Sequence, residues 1–346
     1  MKKKILAMIL ACAMILALAA CSGSANTKQP AAENTASDAA EAPAASEETA
    51  ASAEGKTYTV GVCQLVQHEA LDAATQGFCD ALKEALGDAV TIDVQNASGD
   101  SVNCGTIVNG FVSKNVDLIM ANATPALTAA ASATADIPIL GTSITAYGVA
   151  LDIADFSGTV GGNISGTSDL ADLSAQAQMI LDWFPETQKV GLLFCSAEPN
   201  SRYQIEEVAK YLADKGVETE EFAFTDTNDV ASVTQSAADY SDVVYIPTDN
   251  TAAANTEAIG NVLIPAGIPA ICGEEGICRG CGVATLSISY YDLGVTTGKM
   301  AAKILTGEAN ISEMPVEFTD ATPKYNPSVC EQLGITPLEG YEAIEG

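Results

Sequence analysis

From Thr57 onward, short runs of β-branched and apolar residues alternate with stretches whose apolar positions recur at helical spacing. Tyr58–Gln64 reads as a strand, and 71–86 places Leu71, Phe78, Leu82 and Leu86 along one helical face. Val90–Val94 reads as the next strand, 102–114 as a helix, and Val116–Met120 as a strand of the buried type. A helix starts near Pro125, and Ile137–Leu140 is a further strand. Strands alternating with helices in this way predict βαβ units and a parallel, doubly wound sheet.

The pattern then recurs. Val190-Gly191-Leu192-Leu193-Phe194 answers Val60-Gly61-Val62, and Asp242-Val243-Val244-Tyr245-Ile246 answers Asp117-Leu118-Ile119-Met120. Ile268-Pro269-Ala270-Ile271-Cys272-Gly273 answers Ile137-Pro138-Ile139-Leu140-Gly141. The three offsets, 130, 125 and 131 residues, are nearly constant. They predict two topologically equal lobes rather than a chance likeness between α/β units. The fold class is therefore α/β, with two Rossmann-like lobes joined by a three-crossing hinge.

The lobes are expected over 56–165 plus 285–312 and over 166–284 plus 313–346. The first crossing falls in the Gly- and Thr-rich segment 145–175, the second near Thr285–Tyr291 before a helix at 294–305, and the third in the tail. In open α/β sheets ligands bind outside the strand C-termini, so two such lobes face to face make a cleft that closes by hinge motion.

The N-terminus reads as an address and an anchor. Lys2, Lys3 and Lys4 precede 16 uncharged residues, Ile5 to Ala20, too short for the ~20 residues of a membrane span. Leu18-Ala19-Ala20-Cys21 resembles a lipobox, which makes 1–20 a signal peptide and Cys21 the lipidated residue. A soluble exported protein cleaved near Ala20 is the alternative. Residues 22–55 hold 12 alanines and six acids and no Leu, Ile, Val, Met or aromatic residue. Such a segment buries no apolar surface, so 21–55 is expected to be a disordered tether, roughly 30 Å across as a random coil.

Charge narrows the function. The chain of 346 residues carries a formal net charge of −30, and loss of the three leader lysines takes it to −33. An acidic surface with two arginines, Arg202 and Arg279, argues against nucleic acid and against phosphate clamps. An anionic membrane repels such a body, leaving the lipid as its only attachment. One histidine, His68, leaves no His-rich metal site and no ordinary His-based triad, and neither cofactor nor metal is expected.

Several stretches resemble the substrate-binding lipoproteins of ABC importers, in the family that includes tryptophan- and tyrosine-binding proteins. They are Gln64-Leu65-Val66-Gln67-His68, Ala70-Leu71-Asp72-Ala73, Ala123-Thr124-Pro125-Ala126 and Ser196-Ala197-Glu198-Pro199-Asn200-Ser201. Pro247-Thr248-Asp249-Asn250, Gly273-Glu274-Glu275-Gly276, Tyr290-Tyr291-Asp292-Leu293-Gly294 and Thr297-Gly298-Lys299-Met300-Ala301 continue the series. The likeness spans nearly all of 57–340. It implies a type 1 periplasmic-binding-protein fold, a small solute, an aromatic amino acid by class, and delivery to a permease from the outer face of the cytoplasmic membrane. A monomer is expected.

The candidate ligand residues follow from position. Thr124-Pro125 and Asn200-Ser201 each open a helix after a strand, where free N–H groups suit a carboxylate; plain N-caps are the rival reading. Asp249, within Thr248-Asp249-Asn250, is the candidate counter-charge for an ammonium, with Glu198 and Glu274 as substitutes and an N-cap again as the rival. Gln64 ends the first strand and can meet the same zwitterion. Ser143 follows a strand, and Tyr147 stands where many relatives carry Asp-Pro, so it either adds a ring to the cleft or marks a different ligand. His68 stands before a helix at the pocket edge, while Trp183 sits in a helical apolar stripe that fits core packing.

Eight cysteines remain once Cys12 is cleaved off and Cys21 is lipidated. Cys63, Cys79 and Cys195 read as small buried hydrophobes. Cys272, Cys278 and Cys281 cluster and leave open free thiols, a disulfide or a metal. Two alternatives stand beside the amino-acid importer: a binding protein for a branched-chain amino acid, nucleoside or sugar, and a surface thiol-redox protein using Cys278 and Cys281. No base, nucleophile pair or metal set supports an enzyme.

Overall fold

The computed structural model describes residues 55–345. The signal segment 1–20, Cys21 and the tether as far as Glu54 lie outside the described residues. Strands β1 (Tyr58–Gln64), β2 (Val90–Asn96), β3 (Leu118–Asn122), β4 (Ile139–Ile144) and β5 (Ile164–Ser168) form a parallel sheet in the order β5-β4-β3-β1-β2. Strands β6 (Lys189–Cys195), β7 (Glu218–Phe224), β8 (Val243–Ile246), β9 (Ala270–Cys272) and β10 (Ala284–Ser287) repeat it as β10-β9-β8-β6-β7. The equivalents of β1, β3 and β4 are thus β6, β8 and β9, the strands that carry the repeated landmarks. In the tail, β11 (Glu317–Phe318) pairs with β5, while β12 (Thr322–Tyr325) runs antiparallel to β10 and holds β13 (Glu342–Ala343).

Helices cover both faces of each sheet. They are α1 (Glu69–Leu86), α2 (Ser101–Lys114), α3 (Thr124–Ala133) and α4 (Tyr147–Ala150) in the first unit. The second unit adds α5 (Leu173–Trp183), α6 (Pro199–Asp214), α7 (Val230–Tyr240), α8 (Asn250–Ala253), α9 (Thr256–Ala266) and α10 (Glu275–Cys281). After them come α11 (Tyr290–Thr306) and α12 (Pro327–Leu333). On β3, Leu118 and Met120 join Phe78 and Leu82 of α1 and Met300 of α11, while Ile119 and Ala121 join Phe111 of α2 and Leu127 of α3. The period-two split of an unbroken apolar run is what a two-sided parallel sheet requires. Leu192 and Leu193 divide the second sheet likewise, and Trp183 lies in its core, edge-on to Tyr341 with ring centroids 5.1 Å apart.

Three segments connect the sheets: 169–172, 288–289 and 319–321. The expected boundary at 165 falls inside β5, that at 285 inside β10, and that at 312 short of β11. Pairing with a neighbour, not local composition, decides where these strands end. Gly166 and Thr167 have the composition of a loop yet lie in β5.

One packing detail positions the cleft. Helices α1 and α11 meet backbone to backbone. A Cβ on Gly294 would stand 2.0 Å from the Ala74 carbonyl oxygen, and one on Gly77 2.1 Å from that of Tyr291. This contact fixes the N-terminal end of α1 against the end of α11 that leaves the second crossing.

Candidate functional site

The two sheets present their strand C-termini to one another across a narrow void of about 10 Å³. From the first unit His68, Leu71, Ser143 and Thr145 reach it, and the second contributes Asn200, Thr248, Asp249, Asn250, Ala253 and Glu274. Asp169 from the first crossing and Tyr290 from the end of the second complete the wall. A void of that size holds about one water, so a solute finds room between these walls only when the lobes part.

Six of the twelve ligand residues expected from the sequence line the void: Ser143, Asn200, Thr248, Asp249, Asn250 and Glu274. The structure places the other six elsewhere. Gln64 is tied within the first unit, donating to Asp72 Oδ1 and accepting from Thr75 Oγ1, both at 2.6 Å. Thr124 is buried, and Pro125 and Glu198 border a wider hollow at the cleft mouth. Ser201 is buried beside Asn200, whose amide donates to its hydroxyl at 3.3 Å. Tyr147 is a correction: it is a core residue and adds no ring to the cleft. Its hydroxyl donates to the carbonyls of Gly141 and Thr167 at 3.0 and 3.1 Å, and it fills space left by Gly141 and Gly166.

The three carboxylates proposed as counter-charges turn out to be helix caps. Asp249 Oδ1 accepts from Ala252 N at 2.8 Å, and its Oδ2 accepts from Cys195 N at 2.7 Å. Glu274 accepts from Gly276 N and Ile277 N at the start of α10. Glu198 accepts from Asn250 N and Thr251 N and from the side chains of Asn250, Thr251 and Asn200. Backbone N–H groups and the helix N-termini thus neutralise these acids internally. Burial nonetheless pushes Glu274 up to about 7 and raises Asp249 as well, the latter helped by the nearby Glu198 charge.

What remains unpartnered is more telling. Asp169 Oδ1, Asn200 Oδ1 and Ser143 Oγ are buried, and no described residue hydrogen-bonds to them. The Asn200 amide orientation is set by its Nδ2, which donates to the Thr248 carbonyl at 3.1 Å and to Glu198 Oε2 at 3.2 Å, so Oδ1 is left as an acceptor. The Asn200 side chain thus meets the void with an acceptor, which suits an N–H of a ligand and leaves the helix-start N–H groups as the expected carboxylate partners. Ser143 sits at φ 56° in a stretch where β4 loses register with β5, an irregularity suited to re-aiming a side chain.

Asp169 and Tyr290 were missed from sequence. Tyr290 donates to Asp169 Oδ2 at 3.0 Å across 121 residues of chain. Burial raises the Asp169 carboxyl to about 6, the nearby Thr145 and Tyr290 hydroxyls pulling the other way. His68 has its basicity lowered by burial, opposed by its contact with Asn250 Oδ1 at 3.3 Å. Since Asn250 Nδ2 faces Glu198, its Oδ1 accepts and the His68 Nε2 carries the proton. Among the described residues no lysine or arginine lines the void.

All eight cysteines in the described residues are buried and unpaired. Burial raises the Cys278 thiol, and the contact with Cys272, added to burial, raises that of Cys281, the opposite of what a reactive thiolate needs. Among the described residues no three His, Cys, Asp or Glu side chains are arranged to hold a metal ion.

Comparison with known proteins places the chain in a family. A 33% identical relative, aligned over 270 residues, 77% of this chain and 78% of its own, is the tyrosine-binding protein of Clostridioides difficile strain R20291. An ABC domain from Streptococcus pneumonia in complex with L-Trp superimposes with a TM-score of 0.79 at 31% identity, covering 84% of this chain and all of its own. A ligand-free, open substrate-binding protein of Clostridium difficile gives 0.64 at 32% identity, covering 84% of this chain and 99% of its own. With identity and coverage matched, the lobes here stand closer to the arrangement of the L-Trp complex. Members of such families bind solutes outside the cytoplasm and are not enzymes. Residues 59–341 match the family model described as ABC transporter substrate binding protein, and the chain belongs to that family.

Proposed function

We propose that the protein captures an aromatic amino acid in the interlobe void and delivers it to an ABC permease. The observation that carries the reading is the set of three buried acceptors, Asp169 Oδ1, Asn200 Oδ1 and Ser143 Oγ, bordering one void. An α-ammonium has three N–H bonds and one charge; the set offers three oxygens and one carboxylate. Leaving such groups unpaired in a buried site costs about 1–3 kcal/mol each, which a ligand ammonium recovers. The Tyr290 ring, Leu71 and Ala253 offer the side chain an apolar wall. The tyrosine-binding relative and the L-Trp complex point to the same ligand class.

The lipobox at 18–21 and the tether to residue 55 supply the anchor that a freely diffusing binding protein would lack. The permease is a partner by family. Isothermal titration with L-tyrosine, L-tryptophan and L-phenylalanine tests the ligand, and micromolar or tighter binding of at least one is expected. Flat titrations for all three, with heat on adding a sugar or nucleoside, would overturn it. Loss of detergent-phase partitioning in Cys21→Ala tests the anchor.

A further inference from the structure

A second set of contacts crosses the cleft outside the ligand void. The Arg279 guanidinium, on α10 of the second unit, reaches Glu69 at the first turn of α1 in the first unit. Its other arm holds Glu275 one turn back on its own helix at 2.7 Å. Glu275 is itself fixed, accepting from Lys324 Nζ at 2.8 Å and from the Ser287 hydroxyl. One residue before Glu69, His68 Nε2 meets Asn250 of the second unit.

We infer that Glu69 and Arg279 form a latch that exists only when the lobes are closed and that slows ligand escape. Three observations carry it. Arg279 is one of two arginines in the chain, and the other, Arg202, pairs with Glu221 inside the second unit. The guanidinium is pre-oriented by Glu275, so little rotamer freedom remains to be lost when Glu69 arrives. Glu69 opens the helix that α11 clamps at Ala74 and Gly77, so its carboxylate moves with the first unit. The latch touches no atom of the void's unpartnered set. It acts on the closing equilibrium, and a ligand trapped behind it leaves only after the pair parts. Both partners are about half exposed, 38% for Arg279 and 52% for Glu69, so the effect is modest. An exposed pair of this kind changes an equilibrium about two- to fivefold.

The inference rests on the solute-binding reading above, and two measurements keep their failures apart. Small-angle scattering of the ligand-free protein reports the closed population and needs no ligand. Glu69→Gln and Arg279→Gln are each expected to enlarge the radius of gyration relative to wild type in low salt, and to match it in 1 M salt, where the pair is screened. Stopped-flow with L-tryptophan and with L-tyrosine should give dissociation about two to five times faster in either variant. Association should be unchanged, and the double variant no faster than the singles, because both remove one contact. Arg202→Gln should dissociate like wild type. Scattering and dissociation unchanged in both singles would overturn the latch, as would singles whose effects add in the double. If neither amino acid binds wild type, the ligand reading fails and scattering alone decides the latch.

Discussion

Replacing Asp169 with Asn separates a ligand role from a structural one, because the two readouts move in opposite directions. Asp169 is 5% exposed, and its carboxyl is held at about 6 against an ordinary 3.8. The rise from 3.8 to about 6 means that the fold carries up to about 3 kcal/mol of cost for keeping this carboxylate ionised at pH 7.5. Asparagine has the same shape, can still accept from Tyr290, and removes that charge. The ligand-free variant should therefore unfold at higher urea, a gain of about 1–3 kcal/mol once the weaker hydrogen bonds are discounted. Binding should suffer. Removing one partner of a buried charge pair costs about 2–5 kcal/mol, and about 3 kcal/mol weakens Kd roughly 150-fold. Titration calorimetry with L-tryptophan and L-tyrosine at pH 7.5, beside urea unfolding without ligand, reads both. The deaminated acid of the ligand that binds should bind wild type about as weakly as the amino acid binds the variant. A variant that keeps its affinity within threefold refutes the ammonium assignment. One that loses stability and affinity together makes Asp169 a structural residue.

The same carboxyl sets a pH profile. With a free-protein pKa of about 6, lowering the pH from 7.5 to 5 protonates Asp169 and should weaken amino-acid binding about tenfold; a flat Kd over that range would count against the site. Stability should run the other way. Asp169 and Glu274 titrate near 6 and 7 when folded and lower when unfolded, so between pH 5 and 7.5 the folded state binds the extra protons. Unfolding free energy then falls as pH rises from 5 to 7.5, by about 1.4 kcal/mol for Asp169 and about 2.5 kcal/mol for Glu274, and a urea midpoint no higher at pH 5.5 than at 7.5 contradicts it. Gly294→Ala drives a Cβ to 2.0 Å from the Ala74 carbonyl oxygen, so despite better helix propensity it should destabilise by about 1–3 kcal/mol in thermal unfolding.

The repeat was legible because a buried parallel strand has few ways to be written. Val190–Phe194 and Val60–Val62 share their pattern since β6 and β1 occupy the same place in equal sheets. Caps were the ambiguity at the site. A carboxylate after a strand and before a helix, as at Asp249 and Glu274, reads equally as a ligand partner or an N-cap, and here the helix N–H groups take both. Tyr147 misled for a related reason, since its position after Thr145 says nothing of its direction. The available signal was the pair Gly141 and Gly166, which lie in register on β4 and β5 and leave the space its hydroxyl fills. Asp169 carried no local mark at all. It gains its meaning from Tyr290, and only the three-dimensional path of the hinge joins them.

That placement bears on how binding and closure are coupled. Asp169 lies in the first crossing and Tyr290 just beyond the second, so their hydrogen bond sits on the segments about which the lobes turn. Groups near a hinge axis move least when the cleft opens. On the proposed reading, an incoming ammonium can therefore meet its counter-charge in the open form. Ser143 belongs to the first unit and Asn200 to the second, so their acceptors reach one ammonium together only on closure. A ligand shifts an equilibrium by its difference in affinity for the two states. Asp169 then supplies affinity common to both, while Ser143 and Asn200 supply the difference that drives closing. Ser143→Ala should thus weaken binding chiefly by raising the open population of the complex, whereas Asp169→Asn should weaken it with the open and closed forms affected alike. Scattering of each variant at saturating ligand distinguishes the two, and equal closure in both would refute the division.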